Sequence, residues 1–333
     1  MKVSLILTVL NEGESIRGVL DSLRAQTRRP DEVVIADGGS RDDTVAILQS
    51  YAAAGRLPLR VIETPGANIS QGRNAAIRLA TGQVIAGTDA GVRCAPDWLE
   101  KLTAPFSGPG RVSVVAGFFR PDARNAFELA MGATVLPEAR DVNPTTYLPS
   151  SRSVAYLKSA WEAAGGYPEW IDYCEDVIFD LKLRRQAGAF VFAPEAVVYF
   201  RPRGNLGAFA RQYFLYARGD GKANLFWRQH AVRYLSYLAV APLLIYASLT
   251  VSPWLWLLGA LAGLAYLRLP LRRLWPQLAP LAWPDRVRAV LYVPVIRVVG
   301  DVAKMLGYPA GVWWRWRRGR RGWEQEGAKM RPG

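Results

Sequence analysis

Residues 3–12 read Val-Ser-Leu-Ile-Leu-Thr-Val-Leu-Asn-Glu, an apolar and β-branched run that ends in two polar side chains. The run predicts a buried strand, because β-branched residues favour extended backbone and a strand covered on both faces has no polar side. Three further runs of this kind follow, at residues 32–36, 59–62 and 84–87. Stretches with helical spacing separate the runs. Apolar strands that alternate with amphipathic helices predict an α/β fold, with a parallel sheet and helices on both faces.

Polar side chains come at the ends of these runs. Asn11 and Glu12 follow the first run, Asp37 ends the second and Asp89 follows the fourth. In open parallel sheets, ligands bind beyond the carboxyl ends of the strands. We therefore expect these four residues to line a ligand site at one edge of the sheet. By itself, the glycine-rich loop after Asp37 is also typical of an ordinary helix start.

The later pattern is less regular. Helices are predicted at residues 74–80, 125–136, 175–186 and 205–218. Short strands are predicted at residues 112–117, 190–193 and 197–200. Residues 137–149 are rich in proline, which predicts a loop.

Charge is unevenly distributed along the chain. Of 333 residues, 42 are basic and 28 acidic, which gives a net charge of +14. Length and pattern favour two domains, which we place at residues 1–230 and 231–333. The densest basic cluster alternates with tryptophan, which favours membrane lipid and not nucleic acid as its partner, with a solvated tail as the alternative. This cluster comprises Trp313, Trp314, Arg315, Trp316, Arg317, Arg318, Arg320 and Arg321.

Residues 235–267 carry no charged side chain, and only Pro242 and Pro253 interrupt them. The run is too long for one membrane span and short for two, since a span takes about 20 residues. With a turn at Ser252-Pro253, each half has about 16 residues and reaches about 24 Å. We therefore expect a tight or partly re-entrant helical hairpin in the membrane.

A second apolar stretch, at about residues 286–314, contains Arg288, Arg297, Asp301 and Lys304. Charges disfavour a lipid-exposed span, so we expect an amphipathic helix in the membrane interface, followed by a basic tail. Basic residues flank both ends of the hairpin. By the positive-inside rule, they place the N-terminal domain on the cytoplasmic side of the cell membrane.

The residues that most often hold metals or disulfides are scarce. Cys94 and Cys174 match neither a metal-ligand spacing nor a disulfide framework, so reduced thiols are expected. His230 is the only histidine, which excludes a histidine-rich metal site. We expect it at the surface or at the domain boundary.

Four motifs occur in order along the chain. They are Asp37-Gly38-Gly39-Ser40, Gly72-Arg73-Asn74, Thr88-Asp89-Ala90-Gly91 and Tyr173-Cys174-Glu175-Asp176. No G-x-G-x-x-G follows the first strand, which excludes the dinucleotide-binding fingerprint. As an ordered set, the motifs resemble the inverting family-two glycosyltransferases of the GT-A fold. The resemblance implies a nucleotide-sugar-binding domain with a mixed, mainly parallel sheet.

The resemblance also implies roles for the matching residues. Asp37 corresponds to the acid that contacts the base, and Asp89 to the first acid of an Asp-x-Asp motif that holds metal and ribose. Asp176 corresponds to the general base, with Glu175 beside it in the catalytic pair. The family's segments beside the nucleotide match this chain at Asn11, Glu12, Arg73 and Asn74. Taken alone, Glu175 and Asp176 have a plainer explanation, since acidic residues stabilise the N-terminus of any helix.

The implied cofactor is Mg²⁺ or Mn²⁺, because a divalent cation neutralises a diphosphate leaving group. The family's second Asp falls here on Gly91. One direct metal ligand is therefore missing, which leaves Asp89, the diphosphate and water to hold a metal.

Residues 211–221 resemble a subgroup linked to exopolysaccharide synthesis. Arg211 and Arg218 either reach the diphosphate, which arginine recognises well, or face anionic lipid. The Gln-x-x-Arg-Trp motif usual in processive synthases does not occur here.

The sequence thus predicts an inverting hexosyltransferase. It would move a sugar from a nucleotide-diphosphate sugar to a membrane-associated acceptor, either a lipid-linked glycan or an exopolysaccharide precursor. One alternative is a processive polysaccharide synthase, although a single short hairpin offers little for a translocation channel. The other is a catalytically inactive membrane scaffold, for which Gly91 is the only support.

Overall fold

The computed structural model of the chain describes residues 1–319 and 322–323. Two compact units divide it. The first comprises Met1–Asp122 and Glu138–Arg201, and the second comprises Ala123–Pro137 and the chain from Pro202 onward. The predicted boundary at residue 230 falls inside the second unit, and the division into a nucleotide-sugar domain and a membrane region remains a prediction. Arg320, Arg321 and most of the predicted basic tail lie outside the described residues.

One sheet organises the first unit. Its strands are β1 (Val3–Val9), β2 (Glu32–Asp37), β3 (Leu59–Glu63), β4 (Val84–Gly87), β5 (Val92–Cys94), β6 (Val114–Pro121), β7 (Val154–Leu157) and β8 (Val191–Phe200). Their spatial order is β3-β2-β1-β4-β7-β6-β8-β5. The first four of these pair in parallel, as do β6 and β8, whereas β7 is antiparallel to both of its neighbours and β5 is antiparallel to β8. The predicted mixed, mainly parallel sheet is confirmed.

Helices connect the strands and form the second unit. In chain order they are α1 (Ile16–Arg24), α2 (Thr44–Ala53), α3 (Ile69–Leu79), α4 (Trp98–Thr103), α5 (Ala126–Val135), α6 (Lys158–Ala163), α7 (Glu175–Ala187), α8 (Leu206–Ala223), α9 (Trp227–Leu235), α10 (Ala241–Thr250), α11 (Leu255–Leu274) and α12 (Trp283–Arg317). A short π-helical segment, Ser236–Val240, joins α9 to α10. The second unit contains α5 and α8 to α12, and the others belong to the first.

Both faces of the sheet are covered, as the apolar run of β1 predicts. Leu5 and Leu7 pack in one buried cluster together with Leu20 of α1. Ile6 points the other way, into a second cluster that includes Ile77 of α3. Successive side chains of a strand point to opposite faces, so an apolar strand needs a layer on each side. This arrangement leaves the carboxyl ends of β1, β2 and β4 at one edge of the sheet.

Two predicted boundaries in the first unit are wrong. Helix α3 begins at Ile69 rather than at Asn74, because Asn68 and Gln71 form a reciprocal cap at its start: each side-chain oxygen accepts a hydrogen bond at 2.9 Å from the other residue's backbone N–H. The two short strands predicted after residue 189 form one continuous strand, β8. Its two ends, at residues 191–192 and 197–200, both pair with β6, and the register is irregular between them.

Small residues define the packing of the second unit. Helix α12 lies against α8, and Gly307 and Gly311 face that neighbour. A Cβ added at Gly311 would overlap the carbonyl oxygen of Arg218, and one added at Gly307 would overlap that of Phe214. The absence of side chains lets the two helix backbones approach closely, as in membrane helix pairs.

The apolar helices of the second unit are longer than predicted. The helical segments Trp227–Thr250 and Leu255–Gln277 contain 24 and 23 residues, and only 6% of the apolar window of each is buried. At about 1.5 Å per residue, each reaches about 35 Å, which is enough to cross a bilayer. The predicted segments were too short, because each helix continues through the arginines that flank the uncharged run. The turn at Ser252-Pro253 is confirmed.

Helix α12 and His230 both lie within the packed second unit. The apolar stretch at residues 286–314 lies within helix α12, Trp283–Arg317, whose inward face packs on α8 and α5. Its place in the membrane interface remains a prediction. Of the two positions expected for His230, the surface and the domain boundary, the surface is wrong. Its ring is buried, bonded to Asp220 at 3.1 Å and stacked on Tyr308 with the ring centroids 4.0 Å apart. Helix α9 turns this side chain inward against α8 and α12.

Candidate active site

The turn after β1 is tied to the loop after β2. Asn11 has the left-handed backbone conformation, with φ of 56°. Its backbone N–H donates to Ser40 Oγ at 2.9 Å, and its side-chain oxygen accepts from the Arg41 N–H at 2.8 Å. The Glu12 N–H donates to Thr44 Oγ1 at 2.8 Å, and the Glu12 carboxylate accepts from the Ser15 hydroxyl. These bonds bring Asn11 and Glu12 to the predicted edge of the sheet.

Asp37 is buried at the end of β2 and shapes its own loop. Its carboxylate accepts hydrogen bonds from the backbone N–H groups of Gly39 and Ser40, both at 3.0 Å, and from the Ser40 hydroxyl. Gly39 has φ of 99°, which a side chain rarely allows. The structure thus gives Asp37 a role in loop geometry, and its contact with a base remains a prediction.

Arg73 joins three separate parts of the first unit. It is only 3% exposed, on the second turn of α3. Its guanidinium donates to Asp89 Oδ1 at 3.1 Å and to Glu175 Oε1 at 2.9 Å, and it lies 5.3 Å from the centre of the Tyr167 ring. Burial by itself would lower the pKa of Arg73, but the carboxylates of Asp89 and Glu175 outweigh it and raise the pKa. Arg73 therefore carries its charge inside the protein.

Asn74, the next residue, is held entirely by protein contacts. Its amide nitrogen donates to the Tyr167 carbonyl at 2.9 Å and to the Glu169 carboxylate at 2.8 Å. Its oxygen accepts from the Trp161 ring N–H at 3.1 Å and from the Tyr167 N–H at 2.9 Å. Asn74 thus fixes the segment that leads to α7, and its predicted contact with the nucleotide remains a prediction.

Glu175 and Asp176 begin α7 and differ in their surroundings. Glu175 is 8% exposed and bonded to Arg73, whereas Asp176 is half-buried and accepts a hydrogen bond from the neighbouring Val177 N–H at 2.8 Å. Burial and the charge of Asp176 raise the pKa of Glu175, and Arg73 opposes this rise. Cys174, just before them, has a left-handed backbone with φ of 64°. Of the two carboxylates, Asp176 is thus the more accessible to a ligand.

Arg152 is a site residue that sequence reasoning missed. Strands β4 and β7 pair antiparallel, with Gly87 opposite Val154. The residues after β4 therefore lie beside the residues before β7, and the Thr88 hydroxyl donates to the Arg152 carbonyl at 3.0 Å. Arg152 Nε lies 3.6 Å from Asp89 Oδ2. No local motif marks this residue, because its position depends on the pairing of two distant strands.

The two arginines predicted to reach the diphosphate lie on α8, in the second unit. Arg211 is exposed and Arg218 is half-buried. Their contact with a diphosphate, or with lipid, remains a prediction.

Comparison with known proteins agrees with the fold. The mannosyltransferase PcManGT of Pyrobaculum calidifontis, solved with GDP-mannose and Mn²⁺, superposes with a TM-score of 0.60 at 21% identity, over 91% of this chain and 87% of that one. The O-antigen chain rhamnosyltransferase RfbN of Salmonella typhimurium is 26% identical over 211 residues, which is 60% of this chain and 66% of the relative. A validoxylamine A glucosyltransferase of Streptomyces hygroscopicus subsp. limoneus is 31% identical over 117 residues, 34% of this chain and 26% of the relative. The matched part thus spans less than two thirds of these two relatives.

The mixed sheet, with acidic residues beyond the carboxyl ends of β2 and β4, defines an α/β unit of the GT-A fold class. More particularly, residues 4–145 match the family model for Glycosyl transferase family 2. Residues 4–145 thus match the family that the motifs of this chain resemble.

By themselves, the residues that the structure describes do not form a ligand set for a divalent cation. Mg²⁺ and Mn²⁺ take about six oxygen ligands. Here the carboxylate of Asp89 faces guanidiniums on both of its oxygens, and Gly91 supplies no side chain. Among the described residues, no group of three or more His, Cys, Asp or Glu side chains could hold a metal. The role of Asp89 as a metal ligand remains a prediction that this geometry does not favour.

Proposed function

We propose that this protein is an inverting glycosyltransferase of the hexosyltransferase type. It transfers one sugar from a nucleotide-diphosphate sugar to a membrane-associated acceptor, a lipid-linked glycan or an exopolysaccharide precursor. The observation that carries the proposal is the chain of contacts from Asp89 through Arg73 to Glu175, the residue directly before Asp176. That edge is where open α/β sheets bind their ligands.

The donor would bind across the carboxyl ends of β1, β2 and β4. The interlocked loops around Asn11 and Asp37 offer a preformed rim for the nucleoside. Asp89, which is 30% exposed, is the acidic group available to the ribose. The relatives include a rhamnosyltransferase and a glucosyltransferase, so similarity to them does not determine the sugar.

Asp176 is the proposed general base. The acceptor hydroxyl oxygen forms a bond to the anomeric carbon while the bond from that carbon to the diphosphate oxygen breaks. The hydroxyl proton passes to the Asp176 carboxylate, and the nucleoside diphosphate leaves with the electron pair of the broken bond. One displacement inverts the anomeric centre. Glu175 is less suited to this task, because it is buried and paired with Arg73.

The second unit supports a membrane-bound acceptor. Two helices of bilayer-spanning length carry outward-facing apolar residues such as Leu243, Leu249 and Leu261. Arginines stack on tryptophans at the end of α12, with Arg317 4.0 Å from the Trp313 ring centre and Arg318 4.7 Å from that of Trp314. Such pairs suit a membrane–water boundary. The positive-inside rule favours a catalytic unit on the cytoplasmic side of the cell membrane.

The test incubates the purified full-length protein and a lipid extract with a panel of nucleotide sugars, and measures product mass. We expect addition of a single sugar and dependence on the lipid fraction. A ladder of long products would instead favour a processive polysaccharide synthase. A lack of transfer and of donor hydrolysis with every nucleotide sugar would contradict the proposal and favour an inactive scaffold.

A substitution tests the base directly. Asp176→Asn should retain donor binding and lower transfer by about 10²- to 10⁴-fold, the usual contribution of a general base. Asp97→Asn is the matched control, since Asp97 is also a carboxylate at the start of a helix but is an exposed partner of Lys101. Transfer at the wild-type rate by Asp176→Asn would remove this assignment.

A further inference from the structure

Asp89 lies between two guanidiniums that differ in accessibility. Arg73 contacts one carboxylate oxygen at 3.1 Å, and Arg152 faces the other at 3.6 Å. The Arg73 side chain is 4% exposed and is shared with Glu175, so its charge is balanced by two carboxylates. The Arg152 side chain is 26% exposed. Arg152 is therefore the more accessible cation of this pair for a ligand at the sheet edge.

Local contacts hold Arg152 in position. Its backbone carbonyl accepts from the Thr88 hydroxyl at 3.0 Å, and its guanidinium donates to Ser150 Oγ at 3.1 Å. The guanidinium also lies 4.6 Å from the centre of the Phe200 ring. A side chain that is already ordered loses less conformational entropy when it binds. A guanidinium also has five N–H donors, so it can contact a carboxylate and a phosphate together.

The same edge lacks a second carboxylate although it has room for one. A Cβ added at Gly91 would have no other atom within 4 Å. The glycine is therefore not required by packing. With glycine there, Asp89 is left as the single acid at the end of β4, facing two cations. The guanidinium of Arg152 at this edge attracts phosphate oxygens, whereas the protein offers a divalent cation only the Asp89 carboxylate at this position.

We propose that Arg152 binds the diphosphate of the nucleotide donor, and that this arginine takes the place of a divalent cation held by the protein. This inference rests on the proposed function, since it assumes a nucleotide-diphosphate donor. Its direct consequence is that nucleoside diphosphates bind this protein without added metal. It also follows that Arg152 contributes more to the affinity for a nucleoside diphosphate than to that for a monophosphate, because the second phosphate adds negative charge.

Calorimetric titration of the full-length protein in detergent tests this inference. The probes are uridine, guanosine and thymidine diphosphates and the matching monophosphates, each in excess EDTA and again with Mn²⁺. The variants are Arg152→Gln and, as a control, Arg93→Gln. Arg93 also stacks on an aromatic residue of β8, with its guanidinium 4.5 Å from the Tyr199 ring centre, but Tyr199 and Phe200 point to opposite faces of the strand.

We expect at least one diphosphate to bind the wild-type protein in EDTA with an affinity within about threefold of that in Mn²⁺. Arg152→Gln should weaken diphosphate binding by about tenfold to a hundredfold, as loss of a charge-assisted hydrogen bond does, with a smaller effect on the monophosphate. Arg93→Gln should bind as the wild type does.

Two results would overturn the inference while leaving the proposed function intact. One is diphosphate binding that requires Mn²⁺ and disappears in EDTA. The other is equal diphosphate affinity for Arg152→Gln and the wild type. If none of the nucleotides binds in either condition, although the protein is folded, the proposed function fails and the inference fails with it.

Discussion

Arg73 and Glu175 are separated by 102 positions in the sequence, and their side chains meet at 2.9 Å inside the first unit. The same guanidinium contacts Asp89, which links α3, the end of β4 and the start of α7. A buried charge needs its partners, because removal of one leaves the others without water or a counter-charge. This link joins the start of α7, which carries Asp176, to the end of β4.

Arg73→Met should lower the free energy of unfolding by about 3–5 kcal/mol, the usual cost of breaking a buried ion pair. Urea denaturation followed by circular dichroism measures it. The control is Arg78→Met on the same helix, since Arg78 pairs with Glu169 at 3.4 Å on the exposed surface. A surface pair is worth about 1 kcal/mol or less. Similar losses for both variants would contradict the structural role of Arg73.

Asp180→Asn should change how stability depends on pH. Asp180 is 3% exposed, and its Oδ2 has no hydrogen-bond partner among the described residues. Burial, and then the charge of Asp176, raise the pKa of Asp180 well above its ordinary value of 3.8. The folded state thus keeps a proton that the unfolded state releases, so wild-type stability falls as pH rises above that value. The Asp180→Asn variant has no carboxyl group at this position, so its stability does not fall with pH for this reason.

The stability advantage of Asp180→Asn over the wild type should therefore grow with pH, by up to about 1.4 kcal/mol per pH unit while the folded group stays protonated. Unfolding titrations from pH 5 to pH 8 measure the trend. Asp97→Asn serves as the control, because its exposed carboxylate has a lowered pKa and is ionised throughout this range. Parallel curves for wild type and Asp180→Asn would show that Asp180 is ionised in the folded protein.

Substitutions at Cys174 should report on the backbone before Glu175 and Asp176, the proposed catalytic pair. A left-handed backbone costs a non-glycine residue about 1 kcal/mol or more, and a β-branched residue more still. We expect Cys174→Gly to fold and transfer as the wild type does, and Cys174→Val to lose stability and activity together. Thermal unfolding and the transfer assay provide the two readouts. Wild-type behaviour of Cys174→Val would mean that this turn can relax without moving Asp176.

Gly311→Ala should destabilise the second unit, because the added methyl overlaps the Arg218 carbonyl on α8. Overpacking of this kind costs about 1–3 kcal/mol or more. Gly263→Ala on α11 is the control: nothing lies within 4 Å of its added Cβ, so helix propensity should leave it neutral or slightly stabilised. Thermal unfolding in detergent distinguishes the two. Equal midpoints would show that α8 and α12 can separate.

The protein should sediment with membranes after lysis without detergent. Arginine at the centre of a lipid-exposed helix costs about 2.5–3.5 kcal/mol, so Leu243→Arg combined with Leu261→Arg should reduce the membrane fraction. Leu79→Arg, at a partly exposed leucine of the first unit, is the control and should leave the distribution unchanged. Wild-type protein in the soluble fraction would contradict the membrane proposal.

Features that depend on local pattern could be predicted from the sequence. The apolar run of β1 predicts a strand covered on both faces, and Asn11, Asp37 and Asp89 come at strand ends whatever the rest of the fold. The helical starts at Glu175 and after Asn125 follow from local signals as well. The lengths of the two apolar helices could not be predicted in this way. One helix includes Arg228 and the other includes Arg268, and both arginines lie outside the uncharged run from which the helices were predicted.

The sequence by itself determined the fold class, the family-two motifs and the edge at which the acidic residues gather, because each of these is encoded in short stretches of chain. Only the tertiary structure decided that Arg73 bridges Asp89 and Glu175, that Arg152 lies beside Asp89, and that His230 is buried. The physical reason is that these contacts depend on strand register and helix packing between distant parts of the chain. A one-residue shift in the pairing of β4 with β7 would turn every side chain of β7 to the other face, and no local pattern near Arg152 records that register.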